Sequence, residues 1–407
     1  MKDVFVGRQP VLDRECNVIA YELLFRASPT AQSAVHEVAD GLQLTANVLV
    51  GSLMDIGLAE VSGNKMVYIN APRDFLVGDI ASLFSPKDIG IEVLEDVQVD
   101  DAVVTACRAL KASGFTLLLD DFIYSPQWEP LLEIADIIKI DLMQSKDLTA
   151  EVAQLRQYPA KLLAEKVETQ EEFELTKNLG FDYFQGYFFC RPEIVSAKKV
   201  PDSKLAILRA LQQVMIAEAI QDVEAVIVHD VGLSYRLLKY INSAAFGMRS
   251  EIESVRQALS LLGLRNIQRW LSVLSLALLS KDKPQELILT AMLRGRILEE
   301  MMNRLKHPGA SECFLLGLFS LLDAFLDQPM DQVLEEVSLP RDVHEGLTNP
   351  ESRLGQLLEV VKAIELEHWN DVDDFCKSSG LSSEGLMDVY TSSLKWVDEY
   401  SNMLIND

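Results

Sequence analysis

Seven short apolar runs in the first half of the chain each end on side chains able to hold a metal ion or a phosphate. They are IAYE at 19–22, MVYIN at 66–70, IGIE at 89–92, TLLLDD at 116–121, IIKID at 137–141, LLAE at 162–165 and YFQ at 183–185. The polar residues they present are Glu22, Asn70, Glu92, Asp120, Asp121, Lys139, Glu165 and Gln185. Hydrolysing a phosphodiester near neutral pH takes a deprotonated water and cancellation of the charge developing on the phosphoryl oxygens. Two divalent ions about 3.5–4 Å apart can do both. Hard ions of that kind prefer oxygen ligands, and the inventory fits: no histidine lies in any of the seven runs, and His36 is the only one before residue 200. Asp120 and Asp121 are adjacent like charges, unfavourable unless a cation lies between them. Acidic helix caps are the plainer explanation for strand-end carboxylates, but caps favour Ser, Thr and Asp. They leave Glu22, Glu92, Glu165, Asn70, Lys139 and Gln185 unexplained.

Continuous apolar runs of this length suit strands buried on both faces, the usual state of a parallel sheet. Between them, residues 34–56, 100–112, 130–134 and 170–178 read as amphipathic helices, which makes the pattern one of βαβ units. Functional residues gathered from the C-terminal ends of many strands describe a (β/α)8 barrel. The polar stretch from 191, with prolines at 192 and 201, ends the alternation. From 204 onward apolar residues recur at three- and four-residue spacing, as in 205–216, 255–262, 285–305, 313–326, 357–366 and 386–404. The expected fold is an α/β TIM-like barrel followed by an all-α domain, with boundaries 1–195, a linker at 196–203, and 204–407.

At 407 residues the chain exceeds one ordinary core. Its 49% hydrophobic and 24% charged content is that of a globular protein. A formal net charge of −25 argues against binding a nucleic-acid polymer, though carboxylate-held metals can still draw in a small anion. The N-terminus lacks a signal-peptide core, and no apolar stretch reaches membrane-spanning length. Five scattered cysteines without a CxxC pair fit reduced thiols. The expected location is the cytoplasm.

The ordered motifs of the first half resemble the EAL family of cyclic di-GMP phosphodiesterases. GRQPVLD at 7–13 is similar to the family's opening strand, and AYELLFR at 20–26 stands at the Glu-Ala-Leu signature. YIN at 68–70, IEVLE at 91–95, LDDF at 119–122, IKID at 138–141, AEKVET at 164–169 and DYFQGYFF at 182–189 follow in the family's order. The second half resembles the HDOD family, a helical output module, through SYRLLKYINSAAFG at 234–247, ALSLLG at 258–263 and IQRWL at 267–271.

What the resemblance implies is opening of one phosphodiester of cyclic di-GMP to give linear pGpG. It implies two Mg²⁺ or Mn²⁺ ions held by Glu22, Asn70, Glu92, Asp120 and Asp121, with Glu165 a ligand on the second-metal side or the base for the attacking water. Lys139 is expected to hold the water or a phosphate oxygen, Glu168 and Gln185 to position water and substrate, and Gln9 and Arg26 to contact the dinucleotide. Glu95 is the expected anchor of the loop after Asp121. The HDOD half implies an unidentified protein partner, and the barrel half allows a homodimer. Three departures stand out: Leu23 replaces alanine, Lys166 replaces glycine, and the family's glycine-rich loop reads IYSPQWEPL at 123–131. A cation at 166 is expected to lower the basicity of Glu165, and Ile123 and Pro126 restrict the loop. An inactive barrel that senses the nucleotide, or binds nothing, and signals through the helical half is the alternative. His229 and Asp230 precede a helix, so Asp230 reads as a cap; the position resembling a metal-binding His-Asp dyad is Leu322-Asp323, without its histidine.

Overall fold

All seven apolar runs become strands: β2 (Val18–Ala27), β3 (Met66–Ala71), β4 (Ile89–Val93), β5 (Thr116–Leu119), β6 (Ile137–Asp141), β7 (Lys161–Glu165) and β8 (Tyr183–Gln185). An eighth, β1 (Val4–Asp13), precedes them, and the eight close into a barrel in chain order. The structure is a computed structural model. It describes residues 4–27, 62–63, 65–78, 80–192, 201–215, 217–228, 230–242, 252–307, 309–337 and 339–404. The helix expected at 34–56 lies outside the described residues.

Strands β2 to β8 are parallel to their neighbours, whereas β1 is antiparallel to both β2 and β8. The cause is local. Only residues 14–17 join β1 to β2, and the Asp13 carboxylate accepts the backbone N–H groups of Glu15 (2.9 Å) and Asn17 (2.8 Å). A connection this short can only reverse the chain, because a parallel crossover needs a dozen or more residues. The eight-stranded barrel therefore closes with its first strand inverted and with a turn, not a helix, between β1 and β2.

Alternate residues of each strand face inward. Val11, Ala20, Tyr68, Leu118, Ile137 and Leu163 cluster as an apolar plug. Two residues further along their strands stand Glu22, Asn70, Asp120, Lys139 and Glu165. On the reversed β1 the order inverts, so Gln9 precedes Val11. On β4 the equivalent of the plug residue is Gly90, where a Cβ would come within 2.7 Å of the Tyr68 ring. The surrounding helices start and stop on ordinary signals. Asp100 caps α-helix Asp101–Ala112 by accepting from Val103 N (2.9 Å). Thr169 and Glu172 form a reciprocal capping box at the start of Gln170–Leu179, which ends at Gly180 in the left-handed region (φ 94°).

By contact the chain separates into two units, Met1–Arg191 with Ala363–Lys395, and Pro192–Lys362 with Trp396–Asp407. The sequence expectation put all of 204–407 in one helical half; contact instead draws Ala363–Lys395 to the barrel. Within the barrel unit, Arg8 N–H donates to Tyr390 Oη (3.2 Å), and a Cβ on Gly7 would stand 3.6 Å from the Trp369 ring. The second unit is helical among its described residues. Its core gathers Ile227, Leu237, Ile241, Leu259, Trp270 and Leu274, from helices Ile220–Val228, Val231–Ile241 and Val255–Leu279. The last of these breaks at Gly263 (φ 75°, ψ 161°), a conformation that glycine tolerates.

Candidate active site

The rim residues converge on the ammonium of Lys139, which is 1% exposed. Its Nζ donates to Glu22 (3.0 Å), Glu92 (3.0 Å) and Asp120 (2.6 Å), and pairs with Glu165 at 2.9 Å. Four carboxylates from β2, β4, β7 and the residue after β5 thus surround one cation from β6. Burial opposes the charge on Lys139, but Glu165, Glu22, Glu92 and Asp120 outweigh it and hold the ammonium well above the ordinary lysine range. For Glu92, burial and then the neighbouring Glu22 push the carboxyl well up, against the pull of Lys139. Burial likewise dominates at Glu165, opposed by Lys139 and reinforced by Asp120 and Glu22. One ammonium does not balance this many carboxylates.

The surplus is visible atom by atom. Asn70 Oδ1, Glu92 Oε1, Glu165 Oε2 and Gln185 Oε1 are buried without a hydrogen-bond partner. Leaving such a group unsatisfied costs on the order of 1–3 kcal/mol. Among the described residues no three Asp, Glu, His or Cys side chains close on one point at metal-ligand spacing; the carboxylates are spaced around Lys139 instead. Even so, an all-oxygen donor set with spare lone pairs and excess negative charge suits a hard divalent cation. Three of the four unpartnered oxygens belong to Asn70, Glu92 and Glu165.

The other residues singled out in the sequence divide between floor and rim. Gln185 Nε2 donates to Gln9 Oε1 and Glu22 Oε2, each at 2.6 Å, tying β8 to β1 and β2. Asn70 Nδ2 reaches Glu22 Oε1 at 3.5 Å. The turn after Gln185 requires glycine: Gly186 has φ 142°, and a Cβ there would meet Val167 O at 2.1 Å. Asp121 (φ 40°) and Lys166 (φ 55°) are both left-handed non-glycine residues, a strain of about 1–3 kcal/mol each that clusters at functional sites. Lys166 does not bond Glu165; its Nζ bonds Asp141 Oδ2 at 2.5 Å. Lys166 acts on Glu165 through its field alone, and burial, with Asp120 and Glu22, outweighs the expected lowering of Glu165 basicity.

Asp141 was legible only as a strand end. It also accepts from Met143 N (2.7 Å) and Gln144 Nε2 (3.1 Å), so it fastens the turn after β6. Burial raises its pKa, but the Lys166 and Met143 hydrogen bonds prevail and hold it low. Glu168 is exposed and accepts from Arg191 at 2.7 Å. Glu95 is exposed on the turn after β4 and does not line the pocket. Arg26 belongs to β2, but its side chain lies outside the described ones. In the altered loop, Trp128 is buried edge-on against Phe122 (5.9 Å), and the Tyr124 hydroxyl donates to Glu129 (2.9 Å). None of these four lines the pocket.

That pocket has a volume of about 500 Å³, a size that suits a small-molecule ligand. Glu22, Asn70, Asp120, Asp121, Glu165 and Gln185 form its floor, and Tyr187, Arg191 and residues 365–368 its rim. The contribution from 365–368 had no signal in the sequence. In the helical unit, Asp230 caps Val231–Ile241 by accepting from Leu233 N (3.0 Å), as its position before the helix indicated. His229 lies outside the described residues. Asp323 follows a fully buried Leu322 and accepts its neighbour Ala324 N–H (2.9 Å), so no His-Asp dyad forms there.

Comparison with known proteins agrees with this organisation. The EAL domain family model matches residues 73–192, and the HDOD domain family model matches residues 198–378. The uncharacterized protein YuxH of Bacillus subtilis (strain 168) is 33% identical over 97% of this chain and 98% of its own length. The cyclic di-GMP phosphodiesterase CdgJ of Vibrio cholerae serotype O1 is 31% identical over 99% of this chain and 94% of its own length. Among solved structures, the Klebsiella pneumoniae BlrP1 calcium/cyclic di-GMP complex is 26% identical, covering 47% of this chain and 56% of that one at a TM-score of 0.38. With two relatives matched from end to end and both domain models found in sequence order, the chain belongs to the family of proteins that join an EAL domain to an HDOD domain.

Proposed function

We propose that this protein is a metal-dependent phosphodiesterase that opens cyclic di-GMP to linear pGpG at the mouth of its EAL barrel. The observation that carries the reading is the meeting of Glu22, Glu92, Asp120 and Glu165 around Lys139, with buried oxygens of Asn70, Glu92, Glu165 and Gln185 left unpartnered. The name of the CdgJ relative points to the same substrate. Glu22, Asn70, Glu92, Asp120 and Asp121 are the residues that would hold two Mg²⁺ or Mn²⁺ ions. When bound, such ions supply a deprotonated water and neutralise charge on the phosphoryl oxygens.

The chain's own groups do the rest. Glu165 Oε2, buried and unbonded, takes the proton of the attacking water. Lys139 Nζ orients that water or a phosphate oxygen, and Gln185 and Glu168 position water and substrate. Gln9 and Arg26 contact the dinucleotide. The water oxygen bonds to phosphorus as the P–O3′ bond breaks, the ribose 3′ oxygen leaves with a proton from solvent, and one ring linkage opens. The cytoplasm is the location that this reading expects; no helix among the described residues is long and apolar enough to cross a membrane. The helical unit is read as the docking site for a protein partner, and the barrel as a surface for self-association.

Purified protein incubated with cyclic di-GMP and Mn²⁺ or Mg²⁺ is expected to release pGpG, resolved by chromatography. No product beside an active control enzyme rejects hydrolysis. One observation favours a second reading, a nucleotide-binding module without turnover: Lys139 already gives all four carboxylates a partner. Saturable cyclic di-GMP binding with no product in that assay selects it.

A further inference from the structure

Resting on that reading, we propose that residues 365–368 complete the dinucleotide pocket, and that Glu367 is a specificity-determining residue whose carboxylate accepts N–H donors on a guanine edge. The segment belongs to the barrel unit although it begins 180 residues after the last strand ends at Gln185. Helix Arg353–Glu365 ends in a tight turn, with His368 N–H donating back to Ala363 O (2.8 Å), and helix Trp369–Ser379 begins at once. The Tyr187 hydroxyl donates to Glu365 O (3.0 Å), fixing the turn to the barrel rim two residues beyond Gln185. Glu365, Leu366, Glu367 and His368 all line the same pocket as the carboxylate floor.

Glu367 is held in the left-handed region at φ 60°. With Asp121 and Lys166 it is one of three strained non-glycine residues around this one pocket, out of six among the described residues. Clustered strain of this kind marks functional sites. Its carboxylate makes no hydrogen bond or ion pair among the described residues, although it lines the same pocket as the carboxylate floor. Solvent reaches it, yet the crowding around it, and then the field of Glu22, push the carboxyl up to about 7.

The chemistry of an unpaired carboxylate decides what it recognises. It repels a phosphate and cannot donate to one when ionised, whereas Lys166 and Arg191 on the same rim can. Guanine presents an N1–H and an exocyclic N2–H₂ side by side, a pair of donors that a carboxylate accepts together; adenine has no such pair. A wall that reads this edge gives base selectivity that the floor, which addresses phosphate and metal, cannot supply.

The test uses the full chain, Glu367→Ala and Glu367→Gln, with cyclic di-GMP, cyclic di-AMP and the base-free diester bis(p-nitrophenyl) phosphate as substrates. Cyclic di-GMP binding is followed separately by calorimetry in Ca²⁺. The expected result is a ten- to hundred-fold rise in KM and Kd for cyclic di-GMP in Glu367→Ala, with a smaller rise in Glu367→Gln. The preference for cyclic di-GMP over both other substrates shrinks by the same factor. Unchanged KM and selectivity in both variants overturn the proposal. So does faster cleavage of all three substrates, the mark of a repulsive lid. A folded wild-type chain that neither binds nor cleaves cyclic di-GMP overturns the parent reading, and this inference with it.

Discussion

The two units bury charge in opposite ways. In the helical unit, ion pairs come close to balance: Lys283 pairs with Asp327 (2.5 Å), while Arg269 and Arg296 share Glu299 (2.9 and 2.7 Å) and Arg296 also reaches Glu300. Arg269 lies over the rings of Phe314 (4.0 Å) and Trp396 (4.8 Å), so its cation is matched by a carboxylate and by aromatic faces. At the barrel mouth one ammonium faces four carboxylates, Asp121 stands close by, and four buried oxygens have no partner. The helical unit also buries unpartnered atoms, but they are donors (Arg269 Nε and Nη2, Arg296 Nε, Trp270 Nε1) beside paired carboxylates. What sets the barrel mouth apart is a surplus of negative charge and of acceptors, which a cation from outside the chain would complete.

The sharpest way to break this contrast is Lys139→Met. Removing the cation from three buried carboxylates and the partly buried Asp120 is expected to cost about 3–5 kcal/mol in chelator. Urea melts with and without Mn²⁺ measure it, and recovery of most of that loss with Mn²⁺ is expected. A variant as stable as wild type in EDTA would mean that the carboxylates are not in surplus. Next is Glu22→Ala, for which turnover of cyclic di-GMP is expected to fall at least 100-fold, about 2.7 kcal/mol of transition-state stabilisation. Retention of full turnover removes Glu22 from the site.

In the helical unit, Arg269→Met is expected to destabilise by only about 1–2 kcal/mol, because Arg296 still reaches Glu299 Oε2 while the Arg269 bond to Glu299 Oε1 and the ring stacking are lost. That change should not respond to Mn²⁺ in a thermal melt; a metal response there would erase the distinction between the units. The smallest effect is expected at the exposed Glu168–Arg191 pair. Arg191→Ala should shift stability by no more than about 1 kcal/mol, as exposed pairs do. A larger loss in calorimetry would make that pair part of the fold.

Much of the barrel is legible locally. Strand positions follow from the apolar runs, and the rim follows from period-two alternation: Ala20 then Glu22, Leu118 then Asp120, Leu163 then Glu165. The cap at Asp230 follows from its place before a helix. The reversal of β1 was written in the four-residue link 14–17, but a strand pattern carries no direction, so only its length gave the clue. The ion pair of Lys166 is not legible in the sequence, because adjacency says nothing about where a long side chain finds its partner, here Asp141 across the β6–β7 pair.

Two features were decided by tertiary structure alone. The placement of Lys139 Nζ within 3.0 Å of carboxylates from β2, β4, β7 and the residue after β5 depends on barrel closure, which brings together residues up to 117 positions apart. The recruitment of 365–368 to the pocket depends on long-range packing through Trp369 and Tyr390. The amino-acid order determined which residues are buried and which side chains crown each strand, because both are periodic and local. It left open what a buried helix face packs against, since an apolar stripe meets any complementary surface and only the folded chain selects one.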